Sequence, residues 1–222
     1  MKLFKPGIKT LIERKDTSGL QALLAKQPDL ANAGITIPFD LLCRTKAHPL
    51  HRLCDPVFTG KITDKEAVQL AEVFLAQGAH IDGDKNKGEG TPLLAAASLH
   101  AEQLGIFYIH NGADIHYTHK NDGATALHWA AFCRLDKLAA KLISADAKVD
   151  EPDAAYKSTP LGWAIHSLQS SDTVNQRHQL NCIKLLLESQ ASPEKLDKEK
   201  HDYLIRLAKE DADLQNLLTP GE

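Results

Sequence analysis

The amino-acid sequence predicts an all-α protein made of stacked helix–turn–helix units, and a repeated motif is the first observation that predicts it. The pattern Thr, then Pro or Ala, then Leu begins at Thr91, Thr125 and Thr159, and the steps 125 − 91 and 159 − 125 are both 34 residues. An amphipathic pattern follows about ten residues later, and a glycine closes two of the units. Since a fixed period of roughly 20 to 50 residues marks a stacked-repeat architecture, the period predicts the fold class before any single motif is considered.

The first helix of each unit is predicted to begin immediately after the threonine of the motif. The threonine hydroxyl accepts a hydrogen bond from a backbone N–H that is otherwise unpaired at a helix start. Pro92 and Pro160 then occupy the first helical position, where proline loses nothing because its missing N–H would have no partner there. The alanines that follow let neighbouring helices approach closely, which favours the stacking of one unit on the next.

The second helix of each unit is predicted from apolar residues at i, i+3, i+4, i+7 and i+8, which lie on one face of a helix. Three units carry this pattern: Ala67, Leu70, Ala71, Phe74 and Leu75; Ala101, Leu104, Gly105, Tyr108 and Ile109; and Leu135, Leu138, Ala139, Leu142 and Ile143. Gly78 and Gly112 come where the second helix has to end in a left-handed conformation. Asp146 and Gln190 replace that glycine in the next two units, so we expect looser joints there.

We expect a single domain over residues 1–222. The predicted order is an N-terminal cap at about 1–33, repeats at about 45–83, 87–120, 121–154 and 155–193, and a C-terminal cap at about 200–218. Extra residues near 55–65 and 167–176 lengthen the first and fourth repeats, either as tolerated loops or as a second surface. Polar caps at both ends keep such an array soluble and favour a monomer.

These motifs resemble the ankyrin repeat, whose signature combines a Thr-Pro-Leu-His segment, an Ala-Ala pair, a Leu-Leu pair and a Gly-Ala-Asp finger. The resemblance is strongest from Ala47 to Ser192 and is weaker towards both ends. It implies a solenoid of about four full repeats between degenerate caps. It also implies a non-catalytic scaffold that binds a protein partner. The sequence departs from the signature at Gly162, which stands where the family has its histidine.

Composition and charge argue against several other classes of protein. Lys and Arg number 26 against 29 Asp and Glu, a net charge of −3, so no overall basic field is present to hold a nucleic acid. No apolar stretch is long enough for a membrane span, and the N-terminal segment has no apolar run typical of a signal peptide. The four cysteines lack the paired spacing of a zinc site or a disulfide framework. We therefore expect a cytoplasmic protein without a cofactor.

Motifs for chemistry are weak in this sequence. The glycine-rich stretch 83–90 lacks the Gly-Lys-Ser or Gly-Lys-Thr that completes a phosphate-binding loop. No serine or cysteine is accompanied by the base and orienting group of a nucleophilic enzyme, so we expect no catalysis. The 11 histidines suggest a second hypothesis. His116 and His119, with Asp114 or Asp122, would make the protein a ligand- or metal-responsive regulator.

The resemblance also implies where a partner binds, because the family uses a concave face made of finger tips and the exposed ends of the first helices. The positions carried over to this sequence are Leu99, Asn121, Asp122, Phe132, Cys133, Tyr156 and His166. Exposed apolar and aromatic side chains anchor interfaces, so Leu99, Phe132 and Tyr156 are the predicted anchors. Alternatively, Phe132 folds back over Trp129 and leaves only Tyr156 outward. Trp129 and Trp163 are predicted to pack in the core, and Cys133 to be more exposed than Cys182.

Overall fold

The structure, a computed structural model, describes residues 6–84, 90–170 and 176–219. Over these residues the secondary structure is helical, apart from turns and one isolated antiparallel bridge between Ile35 and Ala47. The predicted all-α class is confirmed. The chain divides into two compact units, of which the first ends at Asp114 and the second begins at Ile115. None of the described helices is both long and apolar enough to cross a membrane.

The first unit contains seven helices among its described residues. They are α1 Ile8–Glu13, α2 Thr17–Leu24, α3 Pro49–Arg52, α4 Cys54–Phe58, α5 Asp64–Ala76, α6 Pro92–Ser98 and α7 Glu102–His110. Helix α3 packs on α6, while α2, α5 and α7 contact one another in order and form a second row. Tyr108 is fully buried between the rows and donates its hydroxyl to the Leu50 carbonyl oxygen over 2.7 Å. The extra residues near 55–65 contain α4 and the turn after it.

The second unit repeats this arrangement with six described helices. They are α8 Ala126–Phe132, α9 Asp136–Ser144, α10 Pro160–Gln169, α11 Gln176–Glu188, α12 Lys198–Ala208 and α13 Ala212–Leu218. Helices α8, α10 and α12 form an inner row, and α9, α11 and α13 form an outer row. Of the predicted insertion at 167–176, Ser167 to Gln169 continue α10, whereas 171–175 lie outside the described residues. Residues 85–89 of the glycine-rich stretch also lie outside them.

The predicted helix starts are confirmed. The hydroxyl oxygens of Thr91, Thr125 and Thr159 accept backbone N–H donors three residues later over 3.3, 3.4 and 3.3 Å. Pro92 and Pro160 occupy the first helical position. The three predicted apolar faces are buried along most of their length, because each of these helices packs against its own inner helix and an adjacent outer helix of its unit.

The predicted left-handed helix ends are also present. Gly78 and Gly112 have φ of 85° and 84°, and Asp146 and Gln190 adopt the same conformation at 73° and 66°. The hydrogen bond that closes each turn is kept at all four ends, with N···O distances of 2.9 to 3.1 Å. Contrary to the expectation of looser joints, the turns at Asp146 and Gln190 have the same backbone geometry as those at the two glycines. A residue other than glycine in this conformation has a higher backbone energy, because its Cβ crowds the backbone there.

Candidate functional site

Four aromatic side chains line a groove of about 550 Å³ in the second unit. Trp163 lies at their centre, with its ring centroid 5.1 Å from that of Trp129, 5.9 Å from Phe132 and 6.2 Å from Tyr156. The interplanar angles are 79°, 78° and 72°, the edge-to-face packing that aromatic quadrupoles favour. The cluster forms a wide apolar surface that is open to solvent along one side.

The 34-residue period explains why these rings meet. Trp129 and Trp163 are one period apart (163 − 129 = 34), so they occupy equivalent positions on the neighbouring helices α8 and α10. Phe132 follows Trp129 by one helical turn and therefore projects from the same face of α8. His166, at the equivalent position on α10, stacks on Phe132 with centroids 6.3 Å apart. Successive units thus add rings to a single row of side chains.

Asp153 holds the loop that carries Tyr156. Its side chain is only 1% exposed. It accepts hydrogen bonds from the backbone N–H of Tyr156, from the backbone N–H of Ser158 over 3.1 Å and from the indole N–H of Trp163 over 3.0 Å. Burial raises the pKa of Asp153, but the three donors outweigh it and the pKa is lowered overall. One ionised carboxylate therefore fixes two of the four rings.

The groove passes over a residue that has no side chain. His128 bonds the Thr125 hydroxyl over 2.8 Å and the Ser158 carbonyl oxygen over 3.1 Å, and so fills the space between its helix and the following loop. Gly162 is its counterpart one period later (162 − 128 = 34) and has no side chain to do the same. The groove runs over Gly162, with Ser158 and Leu196 beside it.

Charged side chains line the groove beside its aromatic floor. Lys157, Lys195 and Lys200 line the groove together with a single carboxylate, that of Asp197. Asp197 is engaged twice by Lys200, through its backbone N–H over 2.9 Å and through its ammonium group. The groove is thus aromatic at its floor and mainly cationic at its rim.

The predicted binding residues fall into two groups. Phe132, Tyr156 and His166 line the groove, and Tyr156 is 75% exposed. Leu99, Asn121, Asp122 and Cys133 do not line it. Leu99 is half-buried at the end of α6 in the first unit, and Asn121 is exposed in a turn. Asp122 is occupied with its own loop, where it accepts the Ala124 N–H over 2.9 Å and lies 3.0 Å from His119.

The structure tests the predicted burial of Cys133 and of the two tryptophans. Cys133 is 8% exposed and Cys182 0%, so Cys133 is the more exposed of the two as predicted, although both are buried, and burial raises the pKa of Cys133 to about 11. The prediction that the tryptophans pack in the core is wrong. Trp129 and Trp163 are half-buried groove residues and not core residues. Phe132 does pack against Trp129, with centroids 6.1 Å apart, but it stays in the groove wall together with Tyr156. The predicted contact of Phe132 with Trp129 is therefore present, and its role in binding a partner stays a prediction.

The histidine hypothesis finds no matching geometry. Over residues 6–84, 90–170 and 176–219, no three side chains of His, Cys, Asp and Glu converge as metal ligands would. His119 pairs with Asp122 over 3.0 Å, a two-residue contact within one loop.

Sequence reasoning missed the residues that give the groove its opening and its charge. Gly162 was visible as a departure from the repeat signature, but its place beneath a groove was not predicted from that departure. Lys195 and Lys200 carried no such signal. They follow the insertion near 167–176, with Lys195 before α12 and Lys200 in its first turn, where the 34-residue period no longer applies.

The part of the chain that contains the groove matches a known protein family. The family model described as ankyrin repeats (3 copies) matches residues 93–197, a span that runs from α6 to Asp197 and contains all four aromatic groove residues. A search of curated proteins gives no match.

Proposed function

We propose that this chain is an ankyrin-repeat protein and a non-catalytic scaffold that binds a protein partner on the concave face of its repeats, at the aromatic groove. The match of residues 93–197 to the family model of ankyrin repeats supports the proposal. Ankyrin repeats are generally protein–protein interaction modules. The single observation that carries the location of the site is the open cluster of Trp129, Phe132, Tyr156 and Trp163.

The physical basis of binding would be apolar burial on a preorganised surface. Aromatic side chains dominate interface energetics because they bury large areas with few rotatable bonds. The edge-to-face contacts and the hydrogen bonds that Asp153 accepts hold these rings before a partner arrives, so little ordering entropy is lost on association. A volume of about 550 Å³ accommodates several side chains of an inserted segment.

Comparative capture tests the proposal. The wild-type protein and the Phe132→Ala, Tyr156→Ala double variant are incubated with lysate of the source cells, and bound proteins are identified by mass spectrometry. We expect a partner that the double variant loses, with its affinity weakened by more than about 2 kcal/mol because both anchors are truncated. Thermal unfolding of the variant shows whether the repeats still fold.

Two further variants sharpen the result. Phe58→Ala removes an exposed phenylalanine from the first unit and should retain the partner. Gly162→His in a Ser158→Ala background restores the repeat histidine, removes the hydroxyl that a new Cβ would meet, and fills the groove without truncating a ring. Equal capture of the same proteins by all variants would remove this groove as the binding site.

A further inference from the structure

We infer that the partner segment that occupies this groove is acidic, with an apolar side chain among the rings and flanking carboxylates against Lys157, Lys195 and Lys200. The inference rests on the proposed function, since it names the chemistry of the partner at the same groove. The observation that supports the inference is the charge of the lining side chains, since three ammonium groups and one carboxylate line the groove.

Lys157 is the most available of the three lysines. It is exposed and has no ion pair with another described residue. Its backbone is in the left-handed region, with φ of 55°, so the turn that follows Asp153 presents Tyr156 and Lys157 side by side. An anchor residue that contacts Tyr156 would therefore bring its neighbours within reach of this ammonium group.

Lys195 and Lys200 are only partly neutralised by the protein. Lys195 lies 3.1 Å from Asp150, but its side chain is 51% exposed, and Asp150 also accepts the Ser192 N–H over 3.0 Å. Lys200 pairs with Asp197, whose other oxygen accepts the Lys200 backbone N–H at the start of α12. An ammonium group has three donors, so each lysine can bind a further carboxylate while it keeps its internal partner.

A cationic segment fits the same groove poorly. Aromatic faces can attract an ammonium or guanidinium group, which makes a basic partner the main competing occupant. Here, however, three ammonium groups line the groove, and the carboxylate that lines it and the buried one bonded to Trp163 are both engaged within the protein. Asp153 accepts three N–H donors and Asp197 is held by Lys200. Complementarity of charge therefore selects an acidic segment.

Selection from a random 12-residue peptide display library tests the inference without knowledge of the partner. Peptides are selected on the wild-type protein and sequenced, and those that also bind the Phe132→Ala, Tyr156→Ala variant are discarded. We expect the remaining peptides to combine an aromatic or leucine residue with flanking Asp and Glu. A synthetic copy of the most enriched peptide is then titrated by calorimetry.

Charge variants provide the quantitative arm. Lys157→Gln with Lys200→Gln should weaken the acidic peptide about fivefold or more and flatten the dependence of its affinity on salt. Lys209→Gln is the matched control, since it removes an exposed lysine at the other end of α12 and should leave affinity unchanged.

The outcomes separate the two proposals. Groove-dependent peptides with neutral or basic flanks would overturn the acidic preference and leave the groove as a binding site. If no enriched peptide depends on Phe132 and Tyr156, the proposed function at this groove fails together with the inference. Acidic peptides that lose affinity in the lysine variants, with salt dependence to match, support both.

Discussion

Gln179 shows how one polar residue can be essential to an apolar stack. Its side chain is fully buried on α11, and its amide nitrogen donates to the carbonyl oxygens of Ala131 over 2.8 Å and Ala164 over 2.7 Å. These two carbonyl groups belong to the neighbouring inner helices α8 and α10. A single amide group therefore ties one outer helix to two inner ones.

We expect Gln179→Leu to lower the free energy of unfolding by about 1 to 3 kcal/mol, because two buried carbonyl groups lose a donor that leucine cannot supply. Urea unfolding followed by circular dichroism measures the change. Gln176→Leu, at an exposed position in the first turn of the same helix, is the control. Equal effects of the two substitutions would show that the bonds of Gln179 contribute nothing.

His128 makes stability depend on pH. Burial lowers its pKa below the ordinary value near 6.5, although the Ser158 carbonyl group and nearby carboxylates act in the opposite direction. His128 is therefore protonated near pH 6.5 in the unfolded chain but only at a lower pH in the folded protein. The contribution of neutral His128 is complete above about pH 6.5 and falls as the pH drops from there towards the folded pKa.

We expect His128→Gln to destabilise the protein more at pH 7.5 than at pH 5.5, since the wild type has lost part of the contribution of His128 at the lower pH. Denaturant unfolding at the two pH values measures both differences. His166→Gln changes an exposed residue of the same unit and is the control. Its effect on the free energy of unfolding should not differ between the two pH values in this way. A destabilisation by His128→Gln that is the same at both pH values would contradict the argument.

At the scale of the element, the helix–turn–helix unit keeps its geometry when its signature residues change. The second helices end in the same left-handed turn whether the residue is Gly112 or Gln190, because the closing hydrogen bond and the packed alanine after it determine the turn. A residue other than glycine in this turn raises the conformational energy of the backbone, and a measurement of the free energy of unfolding can detect that difference.

We expect Gln190→Gly and Asp146→Gly each to raise the free energy of unfolding by up to about 1 kcal/mol, because glycine adopts φ near +70° without steric cost. Gly112→Ala is the reciprocal variant and should lower the free energy of unfolding by a similar amount. Thermal unfolding of the three variants tests both directions. Destabilisation by the glycine substitutions would show that the longer side chains make compensating contacts.

At the scale of the whole molecule, periodicity determined how much the sequence could predict. Thr91, Thr125 and Thr159 repeat at a fixed step, so the helix starts were predictable. The same register, with the family resemblance, pointed to Phe132 and Tyr156, and both line the groove. The role of Trp163 was not predictable in this way. Its indole N–H donates a hydrogen bond to Asp153, a three-dimensional contact that the 34-residue period does not predict.

The C-terminal part of the second unit marks the limit of that reasoning. Lys195 and Lys200 lie beyond the last Thr-Pro-Leu motif, in the short 3₁₀ turn before α12 and in the first turn of α12, and the packing of α12 on α10 places this segment beside the rings. A long-range juxtaposition of this kind has no local sequence signal. A groove built partly by a closing helix pair is therefore a feature for which a structure is needed.

The composition of the groove has a spectroscopic consequence. Trp129 and Trp163 are the two tryptophans of the chain, and both line the groove. Intrinsic indole fluorescence of the intact protein therefore originates at the proposed binding site, with one indole N–H bonded to a buried carboxylate. Occupation of the groove should change the wavelength and intensity of that emission, so the unlabelled protein carries its own optical reporter of binding.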